Sequence, residues 1–271
     1  MMDRRKFLQA IGATTIFLAC KGTDSDPVPD PKEEPVLFRF AVASDLHWGE
    51  ANTDYEMHTR NFVSAFKDFN TKSSCGFLVL NGDIIHNDPV FLPQAYEALK
   101  DVHPKLYVTQ GNHDRVSEAV WQSTWNQSFN SDFAIDDMAF VFGTTSDSIS
   151  QNWLRCPNIE FLENSLEKYK NKKHVFIFWH IHPHMDTMGC TDDVKAVMKN
   201  YTNVRAVFNG HDHNDESIKT IQGVPYMFDG RLGGSWGSFD RNFRVVEITK
   251  SEIVTYLMTP TTRKKLSRFK M

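Results

Sequence analysis

The sequence predicts an α/β fold that opens on a largely parallel sheet and closes on antiparallel strands. Three observations carry this. From Val36 onward, strand-length runs of β-branched and aromatic residues alternate with amphipathic stretches of helical spacing. The C-terminal part replaces that alternation with consecutive strand-like runs and tight turns. Clusters of Asp, His and Asn stand at the ends of the strand-like runs, where the loops of an open α/β sheet converge on one crevice.

The elements follow in order. "LFRFAVAS" (37–44) is the first strand, and "YEMHTRNFVSAFKDFN" the first helix, with Tyr55, Phe62, Ala65, Phe66 and Phe69 near helical spacing. "FLVL" (77–80) is a strand, "FLPQAYEALKDV" a helix, and "LYVT" (106–109) and "AFVFG" (139–143) are strands. "NIEFLENSLEKYKN" (158–171) is an amphipathic helix for which Asn158 is the cap. "HVFIFW" (174–179) and "VRAVF" (204–208) are strands. "IKTIQGVPYMFD", "FRVVEIT" and "EIVTYLMT" then read as successive strands, expected to form an antiparallel half that closes a second sheet.

Composition bounds the function. The 271 residues are 41% apolar, enough to bury one substantial core, and no interior linker divides them. The formal charge is -4, and no Lys/Arg run lies inside the chain. A dedicated nucleic-acid binder is therefore disfavoured, because the cations that track a phosphate backbone are missing. If the substrate carries phosphate, bound metal could supply the positive charge.

The N-terminus reads as targeting. Arg4, Arg5 and Lys6 precede a short apolar stretch, Ile11 to Ala19, too short to span a bilayer. "DRRKFLQ" resembles a twin-arginine export signal and "FLAC" a lipobox, in which Cys20 would carry the lipid; the alternative is an apolar N-terminal helix with a buried cysteine. "KGTDSDPVPDPKEEP" has almost nothing to bury and reads as a tether. The expected division is 1–19 export signal, 20–36 flexible tether and 37–271 one domain, placing the protein in the periplasm or on the cell surface as a lipoprotein. Cys75, Cys156 and Cys190 show no C-x-x-C spacing and are read as ordinary thiols, with oxidation of one pair left open for an exported chain.

The chemistry lies at five strand ends. These are "ASDLHWG" with Asp45 and His47, "LNGDIIHND" with Asp83, "QGNHDR" with Asn112, His113 and Asp114, "FWHIHPH" with His180 and His182, and "NGHDHND" with His211 and His213. Any one of them alone is ordinary loop chemistry, since Asp and His hydrogen-bond backbone well. Gathered in one crevice, unpaired carboxylates and imidazoles need an ion to compensate them. The ordered set D-x-H, G-D, G-N-H-D, H and G-H-x-H resembles the calcineurin-like metallophosphoesterase superfamily, over Phe38 to at least His213.

The resemblance implies a four-layer α/β fold, two mixed β-sheets packed as a sandwich with flanking helices. It implies hydrolysis of a phosphomonoester or phosphodiester at a dinuclear metal centre with a bridging hydroxide as nucleophile. Carried over by motif, Asp45, His47 and His213 would hold one ion and Asn112, His180 and His211 the second, with Asp83 bridging. The ions would be divalent or trivalent Mn, Fe, Zn or Co, which oxygen and imidazole ligands suit. His113 would serve the leaving group as general acid or charge stabiliser, and Asp114 would hydrogen-bond and orient it.

Other residues divide between two readings. His182 faces substrate or is a loop histidine, and His184 belongs to the loop. His86 lines the crevice or sits in a turn. Arg231, in the glycine-dense "FDGRLGGSWGS", pairs with a phosphate oxygen or braces a hairpin. Trp48, Trp179 and Trp236 stack on substrate or pack beside the site. Competing functions are a pyrophosphohydrolase of nucleotide or lipid diphosphates, and a non-catalytic metal-binding module on the same fold. The substrate is expected to be a phosphorylated small molecule or lipid-type compound, selected by loops around 49–54, 86–92, 115–135, 183–193 and 230–240, and membrane contact is expected only through the lipid anchor.

Overall fold

The computed structural model describes residues 34–147, 154–184 and 189–271. The expected export signal, Cys20 and all but the end of the expected tether lie outside these residues, as do positions 185–188 of one loop expected to select substrate. Several strands are buried on both faces, and the face toward the opposite sheet is rich in phenylalanine. In β1 (Phe38–Ala43), Phe40 and Val42 point one way and Ala41 and Ala43 the other, all four fully buried. β5 (Met138–Gly143) and β6 (His174–Trp179) repeat this, with Phe140, Phe142, Phe176 and Phe178 inward and Ala139, Val141, Val175 and Ile177 outward.

Two six-stranded mixed sheets result. In the first, β1 runs parallel to β2 (Leu78–Asn81), and β2 to β3 (Leu106–Thr109). On the other side of β1 lie β10 (Phe243–Ile248), β11 (Glu252–Met258) and β12 (Arg263–Lys270), all antiparallel. In the second, β5, β6, β7 (Val204–Asn209) and β9 (Val224–Phe228) are parallel, flanked by antiparallel β4 (Ser131–Ile135) and β8 (Ile218–Ile221). The inward phenylalanines form the seam: Phe40 of β1 meets Phe176 edge-on at 5.4 Å and Phe208 at 5.6 Å between ring centres.

Helices cover the outer faces. α1 (Tyr55–Lys72) starts where Asp54 accepts a hydrogen bond from the Met57 amide, and buries Phe62 and Phe66. With α2 (Leu92–Leu99) and α3 (Glu118–Trp125) it covers the first sheet. α4 (Ile159–Lys168), capped by Asn158, and α5 (Thr191–Met198) cover the second. No helix among the described residues is long and apolar enough to cross a membrane.

Two expectations need correction. The antiparallel tail does not close a second sheet: β8 and β9 join the second sheet, whereas β10 to β12 extend the first. The cause is β1, whose free edge takes β10 in register from Phe38 opposite Ile248 to Val42 opposite Arg244. Nor are all three cysteines thiols. Cys156 and Cys190 form a disulfide across 34 residues, tying the approach to α4 to the start of α5, and Cys75 is the free cysteine among the described residues, and buried.

Candidate metal centre

The five polar clusters follow the carboxyl ends of β1, β2 and β3 in the first sheet and β6 and β7 in the second, and meet at one end of the sandwich. Backbone bonds continue the ladder beyond the strands: the Asp45 amide donates to Gly82 O at 3.0 Å and the His47 amide to Asp83 O at 2.9 Å. Asp45, His47, Asp83 and His211 all have left-handed φ, 57°, 52°, 51° and 70°. Each such non-glycine residue costs about 1–3 kcal/mol, which the surrounding packing must offset, and such strain gathers at functional sites. Gly82 and Gly111 are required by space: a Cβ on Gly82 would enter the His180 ring, and one on Gly111 would strike the backbone nitrogen and Oδ1 of Asp83.

The side chains form two adjoining triads. Asp45, His47 and His213 offer ligand atoms within 4.8 Å of one another, and so do Asp83, His180 and His211. His213 Nε2 lies 3.1 Å from Asp45 Oδ1 and 3.1 Å from His47 Nε2. Asp83 Oδ2 is 3.1 Å from His180 Nε2 and 3.7 Å from His47 Nε2, so it reaches both triads. Asp45 Oδ1 also approaches His180 Nε2, at 3.9 Å. Asn112 joins the second triad through its Oδ1, 2.9 Å from His211 Nδ1.

The donor set fits cations. His180 Nδ1 donates to Asn81 O at 2.7 Å and His213 Nδ1 to Trp236 O at 3.1 Å. A carbonyl only accepts, so the proton of each neutral ring is on Nδ1 and the Nε2 lone pair faces carboxylate oxygen. His180 Nε2 is buried without an aligned hydrogen-bond partner. This is the arrangement by which backbone carbonyls orient metal-binding histidines. The electrostatics agree. Burial would raise Asp45 and Asp83, but His180, with His213 for Asp45 and His47 for Asp83, overrides it and holds both well below the usual carboxylate range. Burial would lower His180, yet Asp83 and Asp45 lift it to about 10. Positive charge is favoured among these atoms.

A model of the calcineurin-like phosphoesterases matches residues 38–215. The chain belongs to the calcineurin-like phosphoesterase family. This phosphoesterase is a metallophosphoesterase, a hydrolase acting on phosphoester bonds, and its sequence motifs and two-sheet architecture are those expected. Its fold is similar to a dimetal phosphatase from Danio rerio, with a TM-score of 0.70, 13% identity and coverage of 87% of this chain and 99% of that one. It is also similar to GAP50, described as the anchor in the inner membrane complex of Plasmodium, at TM-score 0.59 and 15% identity over 88% and 89% of the two chains. No curated protein sequence matches the chain significantly. A phosphatase and an anchor on one scaffold show that the site, more than the fold, must carry the functional argument.

One sequence expectation for the phosphoesterase fails locally, and two residues left between readings take the structural one. Asp114 does not pair with His113: its carboxylate is fully buried and accepts from the Ile85 amide at 2.9 Å and the Gly111 amide at 2.8 Å. Burial and Asp83 push it up to about 7, against the pull of those amides. The partner of His113 is Asn87, whose Oδ1 is 2.9 Å from His113 Nδ1. Arg231 is buried, and its terminal nitrogens donate to the carbonyls of Gly233, Gly234, Gly237 and Phe239, so they brace the glycine loop. His182 packs edge-on against Phe228, at 5.2 Å, outside both triads. Of the three tryptophans, Trp179 and Trp48 are buried in the helix-facing cores, whereas Trp236 is 37% exposed and stacks on His213 at 4.1 Å.

Other participants carry weak sequence signals. His86 stacks on His113 with 4.8 Å between centres, and its Nδ1 is 3.0 Å from His47 Nδ1. Asn81 holds His180 through its carbonyl while its amide donates to Phe208 O at 3.1 Å, across to the other sheet. Asp83, Asn112, His113, His211 and Trp236, with Arg115 exposed at the rim, line a cavity of about 430 Å³. Arg115 stands directly after "GNHD", and Asn87 directly after His86; no spacing rule distinguishes either from an ordinary loop residue.

Proposed function

We propose that the protein hydrolyses a phosphate ester, a monoester or a diester, with one cation held by Asp45, His47 and His213 and a second by Asn112, His180 and His211. Asp83 serves both. The observation that carries this reading is the reach of Asp83 Oδ2 to His47 and His180 together, at 3.7 Å and 3.1 Å. Bound cations there would lower the pKa of a coordinated water and neutralise phosphate oxygens.

The chain's own groups do the rest. Burial, more than the neighbouring histidines, pushes His113 down to about 4, so at neutral pH it is an uncharged ring oriented by Asn87. It stands beside Asp83, with its amide bonded to Asp83 Oδ1 at 2.7 Å; with its Nδ1 proton given to Asn87 Oδ1, its Nε2 donates to a phosphoryl or leaving-group oxygen once the ring takes up a second proton, which an anionic phosphate beside it favours. Arg115 at the rim supplies a positive charge for an incoming phosphate. Trp236 supplies a ring face for the organic part of the ester, including a lipid-type one. The complete ligand set favours an enzyme over a non-catalytic module. The same reading includes export with a lipid on Cys20, and the Cys156–Cys190 disulfide supports an oxidising compartment.

The test is metal analysis of the purified protein with parallel assays on a nitrophenyl monoester, a bis-nitrophenyl diester and a nucleoside diphosphate, with and without chelator. About two metal equivalents per chain are expected, with monoester or diester turnover lost on chelation. Asp83→Ala should lose metal and turnover together. His113→Ala should keep both metals and slow turnover about 10²–10³-fold. A metal-free active protein, or an Asp83 variant at full rate, would overturn the assignment.

A further inference from the structure

A second cavity, of about 840 Å³, opens between α1, the segment before β10 and the β11–β12 turn. No residue lines both it and the smaller cavity at the metal triads. Its floor is apolar: Phe62 and Phe243 belong to the helix-facing core, and Met258 packs against that core. Its wall carries two guanidinium groups, Arg231 and Arg241, with His58 nearby. That volume lies in the range of small-molecule sites, which combine an apolar lining with a few polar anchors.

The guanidinium groups have no ion-paired carboxylate: Asp45 acts on Arg231 only at a distance, and Asp240 on the cavity wall pairs with Lys264. Neither Arg231 nor Arg241 forms an ion pair among the described residues, and the Nε of each is buried without a hydrogen-bond partner. Arg241 makes a single side-chain hydrogen bond, Nη2 to Gly234 O at 3.2 Å. Glu50 is the acid whose charge both feel, but its Oε1 is engaged by Ser235 Oγ and it forms no ion pair with either. Burial and the charge of Arg231 together lower the pKa of Arg241. Burial and the two arginines likewise lower that of His58, against the pull of Asp54. Two partly buried like charges beside each other are costly unless an anion compensates them.

We infer that this cavity is a second binding site, separate from the metal centre, for a small amphiphile with one anionic group and an apolar body. The anion pairs with the Arg241 guanidinium, whose donors are less engaged than those of Arg231. The apolar body lies on Phe62, Phe243 and Met258. A bare inorganic anion would leave that floor wet, and an uncharged apolar molecule would leave the arginines uncompensated. The inference does not depend on the hydrolytic reading.

Calorimetric titration of the metal-loaded full chain tests it, with octanoate, octylphosphonate, 1-octanol and sulfate as probes. Saturable binding of octanoate, octylphosphonate or both is expected, at least tenfold tighter than that of octanol or sulfate. The tighter of the two shows whether a carboxylate or a phosphonate head group is preferred. Arg241→Gln should weaken the preferred probe at least tenfold. Asn61→Trp, which fills the mouth from an exposed helix position, should block it without touching either arginine. Asp83→Asn, at the metal centre, should leave it unchanged. Octanol binding as tightly as the anions, wild-type affinity in both Arg241→Gln and Asn61→Trp, or loss of binding in Asp83→Asn would each overturn the proposal.

Discussion

At the residue scale, the ligand side chains are placed by backbone that few residues tolerate. Asp45, His47, Asp83 and His211 occupy left-handed conformations, and their loops brace one another through strand-like bonds. The same precision extends to residues that touch no candidate ligand atom. Asn87 Oδ1 lies 2.9 Å from Nδ1 of His113 and so fixes the orientation of that ring. Asn87→Ala should lower kcat about tenfold, within the range expected for impaired acid–base work, with metal content unchanged. Steady-state kinetics beside metal analysis would check this, and a variant that lost metal would place Asn87 among the supports of the ligands instead. The candidate ligands were legible from the sequence because each follows an apolar strand in a polar cluster. Their partners were not: Asn81 reads as the polar residue after the strand "FLVL", and its attachments appear only when β2 lies against β6 and β7.

At the element scale, strands with a bulky face were readable and amphipathic or highly charged ones were not. β6 is a run of apolar residues after His174, whereas β12, "RKKLSRFK", carries its charge on an edge and pairs only with β11. β4 was equally obscure, because "SDFAI" is held to its neighbours by polar contacts as well as by pairing with β5. Asp132 of β4 accepts from Ser165 at 2.8 Å, Tyr169 at 2.6 Å and Lys168 at 2.5 Å, fastening the strand to α4. Burial would raise its pKa, but these three donors win and lower it. A carboxylate lowered in the folded state contributes stability above its unfolded pKa of about 3.9, and that contribution is lost as pH falls through the folded value. Asp132→Asn should therefore lower Tm at pH 7 and approach wild type near pH 3. Equal Tm differences at both pH values would remove the charge from the account.

At the scale of the whole molecule, the sequence showed two regimes of strand order but not where the antiparallel strands attach. Attachment depends on which edge of β1 remains open, a property of the assembled sheet that no local pattern encodes. The disulfide was invisible for a similar reason: Cys156 and Cys190 meet only because α4 and α5 lie side by side on the second sheet. In the chain-entropy account, a crosslink over 34 residues contributes about 3–4 kcal/mol. Replacing both cysteines by serine should lower the unfolding free energy by about that amount in denaturant titration, while Cys75→Ser should leave the crosslink and its contribution in place. An unaltered unfolding midpoint in the double variant would show that the closed loop is already confined by packing.

Asn81 couples two motions that could otherwise be independent. Its peptide oxygen steers His180, and its amide grips Phe208 in the facing layer. Sliding one layer across the other would thus turn the imidazole as it moved, so the alignment of the sandwich is also the aim of the ligand.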